Sequence, residues 1–209
     1  MTARSIPAGP TPLKGLRAVS RYILLAGGFL MVIATALIVV EIVMRQVFRH
    51  SLGGVDELAG FALAVGTAWS FGAVLLDKAH VRIDTVYSYF DEKTRALLDL
   101  VSLAGTVLFM GAMVYFAAGV LMTSIHFGAS SQSSLAIPKA VPQALWLAGL
   151  AWFLLVAIVL LVCCALALVR RDWREVRRLA GAPELEEELR AELADTAQRK
   201  ADGTGVLPL

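Results

Sequence analysis

Charged side chains and cysteines are scarce in this sequence of 209 residues. Charged residues make up 17% of the chain and hydrophobic residues 58%, whereas roughly a quarter of a soluble globular domain is charged. A soluble domain of this size needs more polar residues to cover its surface, so the composition favours a protein surrounded by lipid. The net charge of +2 is too small to indicate nucleic acid as a partner.

The two cysteines and the missing catalytic motifs exclude several kinds of site. Cys163 and Cys164 are neighbours in an apolar run. Adjacent residues of a helix point about 100° apart, so this pair suits neither a disulfide nor two ligands of one metal. The sequence contains no nucleophile elbow, P-loop or HExxH-type pair. We therefore expect no catalytic residues, no cofactor and no metal site in this chain.

Four long runs without a charged side chain are the dominant feature. They extend from Tyr22 to Val40, from Leu58 to Leu76, from Leu100 to Ile125 and from Ala140 to Val169. Each run can cross a hydrocarbon core of about 30 Å at ~1.5 Å per residue. We predict an all-α membrane protein in which residues 21–169 form four transmembrane helices, at about 21–44, 57–77, 95–125 and 141–169. The first run exceeds a signal-peptide core of roughly 7–15 residues, so we interpret it as an uncleaved signal anchor.

Lys and Arg residues are concentrated on one side of these spans. Four precede the first span, four lie between the second and third, and five directly follow the fourth. The opposite side has only Arg45, Arg49 and Lys139. Because loops rich in Lys and Arg stay in the cytoplasm, we predict a cytoplasmic N-terminal segment at 1–20 and a cytoplasmic charged tail at 170–209.

The connection between the second and third spans predicts a short interfacial helix. Its apolar residues repeat at helical spacing, and they are Ile83, Val86, Tyr87 and Phe90. A segment this short cannot span a bilayer, so we expect residues 83–90 to lie in the cytoplasmic interface. The next connection is rich in Ser and Gly, and Pro142 at its end suits the start of the fourth span.

Charged residues beside the first two spans are candidates for structural contacts. Glu41 and Arg45 are four positions apart on one helix face, in the favourable order of acid before base. Glu57 opens the second span, near the positive end of its helix dipole. Arg45 and Glu57 are either ordinary flanking charges or an ion pair between the first two helices. An unpaired charge at this depth costs a few kcal/mol, which favours pairing.

Histidine positions argue against haem or metal binding. His50 and His126 fall in loops and His80 at the end of the second span, so no two histidines face each other within the membrane. His80 and Asp84 are four apart, but one histidine and one carboxylate are weak evidence for a metal site. A structural or interface contact is the favoured interpretation of this pair.

The spans also lack the features of a complete transporter. They contain no acid or base in mid-membrane, where ion-coupled carriers usually hold such groups. They also lack a matching pair of short spans broken by Gly or Pro, the pattern of an inverted-repeat binding site. These absences indicate a subunit that works with a larger partner.

Four short motifs occur in an order that resembles a known family. They are VEIVMRQVF at 40–48, with an Arg-x-x-Phe ending, DELA at 56–59, AHVRID at 79–84 and SLAIP at 134–138. On a four-span frame over residues 21–169, this order resembles the small membrane subunit, of DctQ type, of tripartite ATP-independent periplasmic (TRAP) transporters. Val55 departs from the family, many of whose members have an aromatic residue before the acidic pair.

The resemblance implies a scaffold subunit of a secondary transporter in the bacterial inner membrane, and not an enzyme. Its partners would be a large multi-span permease subunit, which holds the substrate and sodium sites, and a periplasmic solute-binding protein that delivers an organic acid such as a C4-dicarboxylate. An ion gradient would drive uptake by symport. The residues then expected to serve structure and subunit contact are Arg45, Glu57, His80, Asp84 and Pro138.

Two other classes stay open at the level of sequence. A membrane-anchor subunit of a redox enzyme complex can also have four spans, but it needs haem or quinone ligands. A small membrane enzyme needs an interfacial acid, base or metal cluster, for which His80 and Asp84 are the only candidates in the sequence.

Overall fold

A computed structural model describes residues 11–51, 53–77, 90–133 and 135–170, and the single positions 172, 179 and 193. Over these residues the chain forms four α-helices, which are α1 (Thr11–Val47), α2 (Val55–Leu76), α3 (Glu92–His126) and α4 (Ala140–Val169). Each helix is long and apolar enough to cross a membrane. The prediction of an all-helical protein with four such helices is confirmed. The predicted interfacial helix at 83–90 falls outside the described residues, except for Phe90.

Local sequence explains where the helices begin and end. After α1, Arg49 adopts a left-handed conformation with φ 52°, and the backbone N–H of His50 donates to the carbonyl of Met44 at 3.3 Å. Gly53 and Gly54 follow with φ of 68° and 84°. Glycine adopts such positive φ values readily because it has no Cβ atom that would clash with the backbone. Asp91 is the N-cap of α3, and its side chain accepts a hydrogen bond from the Thr94 hydroxyl.

The helices pack in the order α1–α2–α4–α3. The main contacts join α1 to α2, α2 to α4 and α4 to α3. The central helices are more buried than the outer ones. In the most apolar stretch of each helix, 33% of the residues are buried in both α2 and α4, against 11% in α1 and 17% in α3. The four helices therefore form an open layer with α1 and α3 at its edges.

Glycines allow the closest helix approaches in this layer. A Cβ atom on Gly27 of α1 would lie 3.2 Å from the carbonyl oxygen of Gly66 in α2. Between α2 and α4, a Cβ on Gly149 would lie 2.8 Å from the Trp69 ring, and one on Gly72 would lie 2.9 Å from the Trp152 ring. Trp69 lies beside Gly149, and three positions later Gly72 lies beside Trp152. The paired residue numbers increase together, so α2 and α4 run parallel. Each is antiparallel to its own edge helix.

Candidate subunit-contact site

The connections α1–α2 (residues 48–54) and α3–α4 (residues 127–139) meet at one end of the layer, which we call the hairpin end. The opposite end, where α1 and α3 begin, is the terminal end. Leu135 from the second connection packs so close to Gly54 that a Cβ there would lie 2.6 Å from its Cδ1 atom. Glycine is therefore favoured at position 54 for two reasons: its φ is positive, and a larger side chain would clash with Leu135.

The α3–α4 connection folds back on itself. Ser130 and Pro138 face each other in an isolated antiparallel bridge. The backbone N–H of Ser131 donates to the carbonyl of Ile137 at 2.8 Å, and that of Lys139 donates to the carbonyl of Ala129 at 2.9 Å. Proline has no N–H, so Pro138 occupies a position in this bridge where no donor is needed. The connection is therefore held in one shape by its own backbone.

Glu57 joins this connection to the start of α2. Its carboxylate accepts a hydrogen bond from the hydroxyl of Ser131, which is 6% exposed. The hydroxyl oxygens of Ser131 and Ser133 are 2.9 Å apart, so the two serines form a small network beside the carboxylate. The positive charge of Lys139 attracts Glu57 from the start of α4. One carboxylate thus links α2 to the connection that leads into α4.

Glu41 is the second carboxylate of the hairpin end, and it is buried. Only 3% of this residue is exposed. Its Oε1 atom accepts a hydrogen bond from Nη2 of Arg45 at 2.9 Å and another from the Ser51 hydroxyl. The Arg45 side chain is 59% exposed, so Glu41 holds one edge of the guanidinium while the remainder faces outward. Arg45 is a positioned cation at the edge of the layer.

The predicted ion pair between Arg45 and Glu57 is wrong. Arg45 pairs with Glu41 one helical turn away, and Glu57 accepts its hydrogen bond from Ser131. The physical reason is that each charge has a nearer partner: an i,i+4 carboxylate for Arg45 and a folded serine-rich connection for Glu57. The favourable Glu41–Arg45 order that the sequence shows is the interaction present in the structure.

The remaining predicted contact residues divide between described and undescribed parts of the chain. Pro138 lies in the backbone bridge at the hairpin end, close to the network around Glu57. His80 and Asp84 lie outside the described residues. A partner contact by any of the five residues stays a prediction.

An open groove lies between α2 and α3. Its volume is about 400 Å³, and its lining residues are Phe71, Gly105, Thr106, Phe109, Met110 and Phe153. The Thr106 hydroxyl donates to the carbonyl of Ser102 in its own helix at 3.0 Å, so the groove presents hydrocarbon. Within the part of the chain that the structure describes, no three His, Cys, Asp or Glu side chains are grouped to hold a metal ion. These surfaces suit packing against another apolar molecule.

Sequence reasoning missed several residues that build the hairpin end. Ser51, Ser131, Ser133 and Leu135 contact the carboxylates or the turn glycines, yet they lie in segments without hydrophobic periodicity. For the serines the usable signal was composition: a nearly uncharged, serine-rich connection needs hydrogen-bond partners, and a carboxylate is a strong one. Leu135 lies in the SLAIP motif, which did not indicate its contact with Gly54.

Comparison with known protein families gives a match. Residues 34–167 match the family model described as "Tripartite ATP-independent periplasmic transporters, DctQ component". Comparisons with curated proteins and with solved structures gave no match. The matched range runs from the middle of α1 to the last turns of α4, so it includes the whole hairpin end.

Proposed function

Because this chain belongs to the DctQ component family of TRAP transporters, we propose that it is a scaffold subunit that holds a large permease subunit in place. The family makes the chain a transporter component and a multi-pass membrane protein. In the proposed role, the four helices are a fixed support while substrate moves through the partner. This family assignment gives no support to the redox-anchor alternative.

The open helix layer is the observation that carries this proposal. Its edge helix α1 exposes large side chains along its length, including 67% of Phe29 and 66% of Val32, and α3 exposes 77% of Leu108. A bundle that worked alone would gain little from two edge helices that each pack mainly on one neighbour. An extended apolar layer instead offers wide faces to another membrane protein, which supports a scaffold role.

The hairpin end supports the choice of contact residues. Glu41 positions the exposed guanidinium of Arg45, and Glu57 with Ser131 fixes the shape of the adjoining connection. Such a preformed polar surface can meet carboxylates of a partner at small entropic cost. We propose that Arg45, Glu57 and Pro138 form part of the contact with the large subunit, and that His80 and Asp84 make a second contact.

Transport itself is assigned to the partners in this proposal. A periplasmic solute-binding protein delivers an organic acid, such as a C4-dicarboxylate, and the large subunit carries the substrate and sodium sites. The sodium gradient drives symport. The protein resides in the bacterial inner membrane with both termini in the cytoplasm, as the distribution of Lys and Arg favours. The hairpin end then faces the periplasm, where the binding protein docks.

Reconstitution tests this function. The chain is co-expressed with a large permease subunit of a TRAP transporter, purified through a tag on the chain, and placed in liposomes with the binding protein and a radiolabelled C4-dicarboxylate. We expect the large subunit to co-purify and uptake to require an inward sodium gradient. Liposomes with the chain alone are the control and should take up nothing.

Two results would contradict the proposal. Sodium-driven uptake by the chain alone would make it a complete transporter. Failure of a stable large subunit to co-purify, under conditions in which both proteins are folded, would remove the scaffold role.

A further inference from the structure

Arg17 has more hydrogen-bond donors than the described residues supply acceptors for it. Its Nη2 atom reaches the carbonyl of Leu76, the last residue of α2, at 3.5 Å. Its Nε atom is buried and has no acceptor. A guanidinium carries five N–H donors, so most of its donors have no acceptor among the residues that the structure describes. The Leu76 carbonyl holds the guanidinium in place, and the donors that Arg17 does not use there can form charge-assisted hydrogen bonds with an oxyanion outside the protein.

Arg21 extends this site along α1. It lies one helical turn from Arg17, so both side chains project from the same side of the helix. Arg21 is exposed, and neither arginine belongs to an ion pair within the residues that the structure describes. Asp77, which directly follows Leu76, is exposed and makes no ion pair with Arg17 there. The two positive charges are therefore not neutralised by the described part of the fold.

The depth of the two arginines indicates what surrounds them. The uncharged run that follows, Tyr22 to Val40, is about as long as the hydrocarbon core is thick. Arg21 thus lies at the edge of the hydrocarbon, and Arg17 lies roughly 6 Å further out at headgroup depth. Tyr22 is 76% exposed, as expected for an aromatic side chain at the membrane interface. Since α1 is an edge helix, lipid can approach this side directly.

We propose that Arg17 and Arg21 bind the phosphate of an anionic phospholipid headgroup at the terminal end of α1. The Arg17 guanidinium, held near the α2 C-terminus, and the exposed Arg21 act together on one phosphate. The acyl chains lie along the apolar surface of α1 next to Tyr22. This inference does not depend on the proposed transport function.

Native mass spectrometry tests the site. The full-length chain in detergent is titrated with phosphatidylglycerol, and the Kd of the first bound lipid is measured. We expect tighter binding of phosphatidylglycerol than of phosphatidylcholine. Removing one of two arginines near a membrane surface should weaken binding about fivefold, and removing both should weaken it about thirtyfold.

Three variants isolate the effect. R21Q changes an exposed side chain that supports no packing, so its fold is not at risk, and we expect the fivefold loss. R17Q/R21Q should show the thirtyfold loss. R49Q removes one charge from an exposed side chain at the hairpin end and should bind phosphatidylglycerol as the unaltered chain does. Helicity measured by circular dichroism checks that every variant is folded.

Three outcomes would overturn the proposal. Equal phosphatidylglycerol affinity in R21Q and the unaltered chain would remove Arg21 from the site. Displacement of phosphatidylglycerol by inorganic phosphate at millimolar concentration would identify a free-anion site in place of a lipid site. Loss of large-subunit binding by R17Q/R21Q, with lipid affinity unchanged, would assign the arginines to an acidic surface on the partner.

Discussion

The Ser131 hydroxyl donates a hydrogen bond to the Glu57 carboxylate, although 74 positions separate the two residues in the chain. This bond joins the connection that precedes α4 to the first turn of α2. The same carboxylate lies near the positive end of the α2 dipole, which favours its charged form as a hydrogen-bond acceptor. The hairpin end is therefore a linked unit, and its parts should respond together to substitution.

Ser131→Ala should loosen the α3–α4 connection. The variant removes the donor to Glu57 and the acceptor for the Ser133 backbone N–H at 3.1 Å. We expect faster amide hydrogen exchange over residues 129–139 than in the unaltered protein, measured in the same detergent by mass spectrometry. Ser130→Ala changes the exposed neighbouring serine and is the matched control. Equal exchange in both variants would contradict the role of Ser131.

Arg45→Ala should reduce assembly with the large subunit. The change removes the exposed part of the guanidinium that we assign to the partner, and it leaves the buried Glu41 without its cation. We expect about tenfold less large subunit to co-purify, which corresponds to the low end of the coupling energies measured for close charge pairs across interfaces. Arg49→Ala is the control, because Arg49 is exposed and follows the helix. Normal assembly and uptake with Arg45→Ala would count against a contact role.

Gly27→Leu should separate α1 from α2. The new Cβ would lie 3.2 Å from the backbone oxygen of Gly66, which cannot rotate away as a side chain can. Overpacking of this kind costs about 1–3 kcal/mol in free energy of unfolding. Gly28→Leu is a close control, because nothing lies within 4 Å of a Cβ at that position. The free energies of unfolding of the two variants are measured by adding SDS to mixed micelles. Equal values for Gly27→Leu and Gly28→Leu would show that the close approach is unimportant.

Trp152 and Ser20 should be energetically coupled. The indole Nε1–H of Trp152 in α4 donates to the hydroxyl oxygen of Ser20 in α1 at 3.2 Å, and Ser20 is 1% exposed. Hydrogen bonds between membrane helices are worth about 0.6 kcal/mol on average in double-mutant cycles. A cycle of Trp152→Phe, Ser20→Ala and the double variant should give a coupling of this size. A coupling of zero would mean that the contact adds nothing to stability.

The cap of α3 should make stability depend on pH. A hydrogen bond from the Thr94 hydroxyl lowers the pKa of Asp91 from its usual 3.8, against a smaller opposing effect of burial. A carboxyl group whose pKa is lowered by folding stabilises the folded state above its unfolded pKa, and this contribution is lost as the pH falls through the folded pKa. Asp91→Asn should therefore destabilise the protein at pH 7, and its difference from the unaltered chain should shrink below pH 3.8.

Thr94→Val checks the cause of this shift. It removes the hydroxyl and should raise the pKa of Asp91 toward 3.8 in a carboxyl NMR titration. An unchanged titration midpoint in Thr94→Val would assign the shift to another group.

The four helices could be predicted because their signal is long and local. Each uncharged run is decided by its own residues, without reference to any other part of the chain. The helices extend past the runs: α1 begins at Thr11 and α3 at Glu92, since polar residues continue a helix where they are solvated. The order in which the helices pack could not be predicted in this way. Nothing in the run Tyr22–Val40 states that it packs on α2 and lies at an edge.

Side-chain partners were harder to predict for a related reason. Arg45 and Glu57 looked complementary because both flank the same connection, but the choice among acceptors depends on the fold of residues 129–139. That fold relies on a positive φ at Ala136 and on backbone bonds between irregular segments, which leave no periodic pattern in the sequence. Glu41 with Arg45 was the more predictable pair because helix geometry alone brings it together.

The parallel run of α2 and α4 has a consequence for biogenesis. Each central helix is joined to its own edge helix by a short connection, so α1–α2 and α3–α4 are two hairpins that enter the bilayer in the same direction. Each can insert as the ribosome releases it, and the glycine–tryptophan contacts at Gly72 and Gly149 then join the halves laterally. If the chain is divided within residues 78–89 and the two halves are expressed as separate fragments, the fragments should reassemble in the membrane.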